Sequence, residues 1–390
     1  MLSVLHRARK SLGRFAILAA VAALSACVPG IGPGPSAGSG SGKVQVALLV
    51  PAGSGQASDA LLAKSLENAA RMAIADLSNV QVDLRVYSTA GSPAQAAAQA
   101  QKAVADGAQV ILGPVFAQEA NAAGVAVAAS GVNVLSFSNN PDIAGNNVFV
   151  LGPTFANTAN RLSSFAVRSG RSKIMIVHDR NAAGEQGRAA IQAGVDRAGG
   201  LVVATGDYEF SQNGVVSAAP ALAATAKSTG AQAIFLTADT AGALPLITQM
   251  LSENGLAPGM TQYVGLTRWD IPSATLALPG VQGGWFALPD PALYAQYQSR
   301  YNAMFGEAPH PISGLAYDGM AAIGALTQKA KGGVISKSAL TQSNGFVGVN
   351  GVFRLLSNGT NERALAVAQV QNGTPVVIDP APRSFGGFGS

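Results

Sequence analysis

From Lys43 onward the chain alternates short apolar runs with amphipathic or alanine-rich stretches, and it keeps that rhythm until its last third. Val44–Val50 is an apolar run of strand length, as expected of a parallel strand buried on both faces. The stretch 57–77 then carries Leu61, Leu62, Leu66, Ala69, Ala70, Ala73 and Leu77 at helical spacing. The same succession predicts strands over 82–87, 110–112, 132–137, 148–151, 173–177, 201–205, 233–237, 262–266 and 285–288. Helices are predicted over 93–106, 116–129, 154–168, 184–197, 215–228, 240–253, 291–305 and 314–329. Alternating β and α units at this spacing specify parallel sheets covered by helices on both faces. So many units exceed what one open sheet usually holds, which points to two lobes. A closed barrel is the competing arrangement, but it wants eight evenly repeated units and no terminal hairpin. Here Val352–Leu356 and Ala364–Gln371, joined through Ser357-Asn358-Gly359, read as a hairpin. The expected fold class is therefore α/β: two lobes of parallel sheet flanked by helices, with a C-terminal β-hairpin.

The N-terminus reads as an address rather than as part of the fold. Residues 1–14 are basic, and Phe15–Ala26 is an apolar stretch too short to span a membrane as a helix. It ends in Leu24-Ser25-Ala26-Cys27, which resembles the lipobox of bacterial lipoproteins; that resemblance implies cleavage before Cys27 and its lipidation. Cys27 is also the sole cysteine, so neither an internal disulfide nor a multi-cysteine metal site is available. Gly, Pro and Ser dominate 28–42, the composition of a tether that would hold the domain ~20 Å from a membrane. Gly34-Pro35-Ser36-Ala37-Gly38 fits the hydrolase pattern G-x-S-x-G, but it lacks the strand before and the helix after that the pattern requires. The expected division is a signal peptide over 1–26, lipidated Cys27 with its tether to 42, a domain over 43–378 and a disordered tail over 379–390.

Charge excludes one class of partner. Of 25 basic and 20 acidic side chains, Arg7, Arg9, Lys10 and Arg14 fall in the signal segment and no acid does, so the mature chain is close to neutral. No basic stripe with interleaved aromatics remains to bind nucleic acid. Apolar residues at 48% and charged residues at 12% are a globular composition.

The order of elements resembles the type I periplasmic-binding fold, specifically the Leu/Ile/Val-binding protein family. Four pieces carry the likeness: Val46-Ala-Leu-Leu-Val-Pro51 with Gly55, Val110-Ile-Leu-Gly-Pro114, Tyr317-Asp318-Gly319, and Phe346-Val-Gly-Val-Asn-Gly351 with Asn358-Gly359. The resemblance implies three crossover strands between the lobes, near 151–153, 285–288 and 341–344. Lobe 1 would comprise about 43–151 and 287–341, and lobe 2 about 152–286 and 342–378. Within that family, Leu151-Gly-Pro-Thr-Phe155 and the stretch 361–373 look closest to lipoproteins that activate penicillin-binding proteins, the peptidoglycan synthases. The helical-repeat domain that precedes this fold in the enterobacterial activators has no counterpart here.

Little in the sequence supports catalysis. His178 stands beside Asp179 at a strand end, and His310 lies between Pro309 and Pro311; neither has a nucleophile placed near it by sequence. Two separated histidines do not make a metal site, and Gly42-Lys43 lacks the rest of a phosphate loop. We expect no enzyme activity, cofactor or metal. A ligand cleft fits better, because ligands in open α/β sheets sit beyond the C-terminal strand ends. Candidate lining residues are Phe116, Ser136, Ser138, Asn139, Asp239 and Trp269: hydroxyls and amide for a carboxylate, Asp239 for an ammonium, Trp269 for stacking. The plainer reading has Ser138 and Asn139 capping a turn before Pro141, Asp239 capping a helix and Trp269 in the core. Amino-acid-binding relatives place Ser/Thr-type hydroxyls after the Gly-x strand turn, whereas this chain has Val115-Phe116-Ala117 there. Burying a carboxylate without those donors is costly.

Two functions follow as expectations. The first is a non-catalytic envelope lipoprotein that regulates a peptidoglycan synthase (penicillin-binding protein). The second is a receptor that delivers a small amphiphilic solute, such as a branched-chain amino acid, to an ABC permease. Val28 after the lipidated cysteine, where an Asp would mark inner-membrane retention, favours the outer membrane in an organism that has one. The expected location is the cell envelope, facing the periplasm.

Overall fold

The computed structural model describes residues 43–78, 80–330 and 335–385. The signal segment, Cys27, the tether and residues 386–390 of the expected tail lie outside them.

The apolar run at the start of the domain becomes an interior strand of the first sheet. β1 (Lys43–Val50) is flanked by β2 (Gln81–Ser88) and β3 (Val110–Leu112), and β4 (Asn133–Ser136) and β5 (Val148–Val150) extend the sheet in the order β2-β1-β3-β4-β5. Every pair is parallel. The two-residue period of a strand sends Val46, Leu48 and Val50 to one face and Ala47 and Leu49 to the other, and both faces are buried. α1 (Ala57–Asp76) covers the first face with Leu62, Leu66, Ala69, Ala70 and Ala73; Leu61 of the expected stripe instead stays 55% exposed. α2 (Pro93–Ala105) and α3 (Ala117–Val127) cover the second. Ser92 caps α2 by accepting the Gln95 N–H, with Pro93 at the first turn.

Beyond β5 the chain enters a second α/β lobe. It runs through α4 (Phe155–Arg168), β6 (Lys173–Asp179), α5 (Ala182–Arg197), β7 (Leu201–Tyr208), α6 (Gln212–Thr229), β8 (Ala233–Leu236), α7 (Leu244–Glu253), β9 (Gln262–Gly265) and β10 (Trp285–Leu288). It then returns: α8 (Pro291–Phe305) and α9 (Gly314–Ala330) bring Tyr297, Tyr301, Met320 and Ile323 into the core beneath α1. After α10 (Lys337–Leu340), β11 (Phe346–Gly348), β12 (Gly351–Leu355) and β13 (Asn361–Arg363) form a small antiparallel sheet. Finally β14 (Ala366–Gln371) and β15 (Thr374–Asp379) join the second lobe, whose sheet runs β15-β14-β10-β9-β8-β6-β7. This is the two-lobed fold with parallel sheets and a C-terminal hairpin.

Three details differ from expectation. The Asn358-Gly359 turn pairs β12 with short β13, Leu355 opposite Asn361, and not with the run beginning at Ala364. That run becomes β14, antiparallel to β10 and to β15. The reason is burial: Phe346, Phe353 and Leu355 belong to the first lobe's core, whereas Leu365 and Val367 belong to the second's. The third crossing therefore falls at 364–365 rather than near 341–344, and 346–363 sits with lobe 1. The other two lie at 151–154 and 289–290. The third difference is at the C-terminus, where the first residues of the expected tail are tied down. Arg161 pairs with Asp379 at 2.8 Å and donates to Pro380 O, and the Arg354 guanidinium sits 4.7 Å from the Phe385 ring.

Candidate ligand cleft

The parallel strands of both lobes end toward a shared cleft, and Gln186 Nε2 bridges it with a hydrogen bond to Asp142 Oδ2 (3.0 Å). The lobe-1 wall is built by two consecutive turns. Gly113 takes φ +91° after β3, and a Cβ there would lie 2.3 Å from Leu49 O, so only glycine fits. Its carbonyl neighbour Pro114 O accepts both Phe137 N–H and the Ser136 hydroxyl, each at 2.9 Å. Ser136 Oγ in turn accepts Ser138 N–H (3.1 Å), Ser138 Oγ accepts Asn140 N–H (3.1 Å), and Asn140 Oδ1 accepts Asp142 N–H (2.9 Å).

These bonds decide between the two readings of the serines. Ser136 is fully buried and serves its own turn, which corrects its place among the ligand-facing candidates. Ser138 is nearly buried and caps the turn before Pro141. Asn139 is exposed and reaches the cavity described below. Phe116 begins α3 without a capping side chain and stands 39% exposed, so this turn presents a ring where a donor would be needed.

On the lobe-2 side, Asp239 is exposed beside Gly242 and the ring of Phe210, and its main-chain oxygen rather than its carboxylate accepts the Leu244 N–H. Next to it Asp179 is buried at the end of β6. Tyr208 donates its hydroxyl to Asp179 Oδ1, and Asp179 N–H donates to Thr237 Oγ1. Burial raises the Asp179 carboxyl above its ordinary range, the tyrosine bond opposes the rise, and the Asp239 charge adds to it. His178 Nδ1 faces the Asp179 main-chain oxygen (3.1 Å) rather than its carboxylate, and Glu185 Oε1 lies 3.7 Å from the same nitrogen. His310 is half-buried, and burial lowers its pKa.

The Asp179 shift has a testable consequence. A carboxyl raised in the folded state contributes stability that is complete below its unfolded value and is lost as pH rises through the folded value. Asp179→Asn, which can still accept from Tyr208, is therefore expected to raise the denaturation midpoint at pH 7 and to flatten the loss of stability above pH ~4. Chemical denaturation at pH 5 and 7 checks this; an unchanged midpoint at both would contradict it.

Trp269 is corrected outright. It is wholly buried, stacks on Phe286 at 6.2 Å, and fills a slot floored by Gly265 and Gly284, where a Cβ would fall 2.2 and 2.3 Å from its ring. Its neighbour Arg268 reaches the cleft instead, held bidentately by Asp270 at 2.6 and 2.5 Å.

The lobes meet around a hinge cavity of about 230 Å³. All three crossings contribute, Pro153 and Thr154 from the first, Pro289 from the second and Leu365 from the third, with Leu288 and Arg363 from the strand ends beside them. Arg268, Asn139 and Asn350 add polar groups, and Phe155, Leu266 and Ala287 add apolar ones. Arg363 is the residue that sequence reasoning missed. Its side chain is 3% exposed, its Nε donates to Leu151 O (2.8 Å), and its Nη1 pairs with fully buried Asp318 (3.1 Å). The available signal was an arginine in step with Asn361 on the inward face of a strand. Among the described residues, no group of three His, Cys, Asp or Glu side chains could hold a metal, and no helix is long and apolar enough to cross a membrane.

Residues 43–375 match the sequence profile of a family described as periplasmic binding proteins. No curated protein matches the chain. Among solved structures, one assigned to branched-chain amino acid ABC transport in Rhodospirillum rubrum is similar with a TM-score of 0.71 at 19% identity, covering 86% of this chain and 99% of its own. A branched-chain amino acid ABC transporter periplasmic ligand-binding protein from Burkholderia xenovorans gives 0.68 at 18% identity, covering 87% and 94%. An ABC transporter solute-binding protein from Rhodopseudomonas palustris, in complex with 3,4-dihydroxybenzoic acid, gives 0.58 at 18% identity, covering 88% and 97%.

Proposed function

The chain belongs to the periplasmic binding protein family, and on that premise we propose that it is a non-catalytic, lipid-anchored receptor that captures a small apolar solute and delivers it to an ABC permease. The observation that carries this reading is the hinge cavity, where apolar walls and a few convergent polar groups from both lobes and all three crossings enclose about 230 Å³. Its relatives of known structure bind small solutes for ABC transporters, which supports the same reading. Calorimetry with the soluble domain from Lys43, against a panel of aliphatic and aromatic acids, amides and amino acids, tests it. Saturable micromolar binding of one class is the expected result; no binding across the panel would sink the receptor reading.

A second reading, regulation of a peptidoglycan synthase by direct contact, is favoured by two features. Phe116 exposes an apolar ring where a solute receptor would place donors. Val28 after Cys27 would also put the protein on an outer membrane, away from an inner-membrane permease. Crosslinking the intact lipoprotein in its own cells separates the two: a permease is expected, and recovery of a synthase in its place would promote the second reading.

The anchor has its own test. Cys27→Ala is expected to abolish lipidation and release the protein from membranes. Mass spectrometry of the mature N-terminus would refute this by finding Cys27 unmodified.

A further inference from the structure

The third crossing is gripped by an arginine of lobe 2. Arg161 of α4 donates its Nε to Leu365 O at 2.6 Å. The same guanidinium donates Nη1 to Asp379 Oδ2 (2.8 Å) and Nη2 to both Asp379 O and Pro380 O (3.2 Å each). Arg168, further along α4, adds a bond to Asp379 Oδ2 (3.1 Å). The end of β15 is therefore tied to the helix that also holds the crossing. Beyond it, Ala381 packs on the lobe-2 core, and the Phe385 ring meets the guanidinium of Arg354 with its centroid 4.7 Å away. Arg354 belongs to β12, in the small sheet that sits with lobe 1, and is fixed there by Glu362 Oε2 (2.6 Å) and Ser343 O (3.3 Å). Residues 380–385 thus reach from one lobe to the other. Pro382 and Phe385 line a groove of about 240 Å³ along the crossing, with Ala364 and Leu365, and neither of them lines the hinge cavity. Pro380 and Pro382 fix φ at two positions between the anchors, which lowers the entropy lost when the segment docks.

We propose that residues 380–385 form a strap across the hinge, anchored on lobe 2 by Arg161 and on lobe 1 by Arg354, which holds the lobes at the angle where Gln186 reaches Asp142 across the cleft. The strap contact and the cleft bridge coexist in one conformation. An interaction made at one lobe angle and weakened at another shifts the equilibrium between them by its difference in free energy. The contact between Phe385 and Arg354 is such an interaction. Its attraction fades once the cation leaves the ring's reach of about 6 Å, so a rotation that carries β12 away from α4 by more than the strap's slack breaks it. The inference concerns the lobes alone and does not rest on the receptor reading. In a receptor, the populated fraction of the binding-competent angle would scale the apparent affinity.

Spin labels on the two lobes read the angle between them. The domain from Lys43 carries both lobes and no cysteine, so Leu61→Cys in α1 and Val216→Cys in α6, both exposed positions, give one labelled pair. Double electron–electron resonance is expected to show a longer mean distance and a broader distribution in a chain ending at Pro380, and the same in Phe385→Ala. The ratio of the two lobe angles is expected to shift about two- to tenfold, the worth of one partly exposed cation–π contact. Phe385→Tyr keeps a ring on Arg354 and should retain the original distribution. Unchanged distributions in the truncated chain and in Phe385→Ala would overturn the strap. A shift on truncation that Phe385→Ala does not share would overturn the lobe-1 anchor and the proposal with it, as would a Phe385→Tyr chain that behaves like Phe385→Ala. Shorter distances in the truncated chain would show that the segment holds the lobes apart, which contradicts the angle assigned to it.

Discussion

Replacing Asp318 with alanine is expected to lower the unfolding free energy by about 3–5 kcal/mol, because it strands a buried cation. Asp318 is 0% exposed, and its carboxylate is spent on four donors from two elements. Oδ1 accepts Val349 N–H (2.8 Å) and Asn350 N–H (3.4 Å), and Oδ2 accepts Asn350 Nδ2 (3.0 Å) and Arg363 Nη1 (3.1 Å). A Cβ on Gly348 would fall 2.0 Å from Oδ1, so the β11 backbone packs directly on the carboxylate. Removing it leaves the guanidinium with Leu151 O as its remaining partner and orphans the Val349 amide. The pair binds the first crossing to the third and both to α9, so the loss falls on the hinge. The measurement is the denaturation midpoint of the soluble domain, with the slope checked for constancy. Asp318→Ala combined with Arg363→Met should cost less than the two single changes summed, since no buried charge remains unpaired. A single-variant loss below ~1 kcal/mol would mean that the pair is not the tie described here.

Much of this architecture is legible in the sequence because it follows from periodicity. Val46-Ala47-Leu48-Leu49 is apolar at every position, and only a strand covered on both faces needs that. Ser92-Pro93 and Thr154 with Asn157 announce helix starts by local chemistry that tertiary contacts leave unchanged. The turn at Asn358-Gly359 is equally local: Gly359 takes φ +85°, and Asn358 Oδ1 accepts the Thr360 N–H. What a turn does not fix is which sheet receives the strand that follows. Residues 364–371 continue so smoothly from the turn that they read as its second arm, yet Arg363 divides them from it. A cation at an inward position signals that the strand before it closes on a buried acid, and Asp318 lies 45 residues away in sequence. No local pattern joins the two.

The same limit governs the site. Ser136 and Ser138 look like ligand groups because hydroxyls after a strand often are, but sequence does not show that each is used by the next backbone amide in its turn. Trp269 looks like a stacking platform, but the slot that takes it is made by Gly265 and Gly284, one before it and one after. In both cases the deciding partner is backbone, which has no sequence signature. The absence of side-chain donors at 115–117 was legible, because it is a statement about residue types alone.

That absence sets the other large effect: leucine, isoleucine and valine are expected to bind the soluble domain about two to four orders of magnitude more weakly than a lobe-1 turn with two hydroxyl donors would allow. A free amino acid presents a carboxylate that wants several donors, each charge-assisted bond being worth about 1.5–3 kcal/mol. The turn offers Phe116 and Ala117 instead, so roughly 3–6 kcal/mol is missing. The nearby serines do not make good the loss, since Ser136 donates its hydroxyl to Pro114 O and both side chains are buried. Asp239 could meet an ammonium only in the open part of the cleft, where solvent weakens the pair. Calorimetry of the three amino acids at 25 °C measures the effect directly, and Phe116→Ser with Ala117→Thr should recover part of the affinity. Micromolar binding of any of the three by the unaltered domain would show that the backbone amides of the turn suffice as donors, and would make branched-chain amino acids the solute.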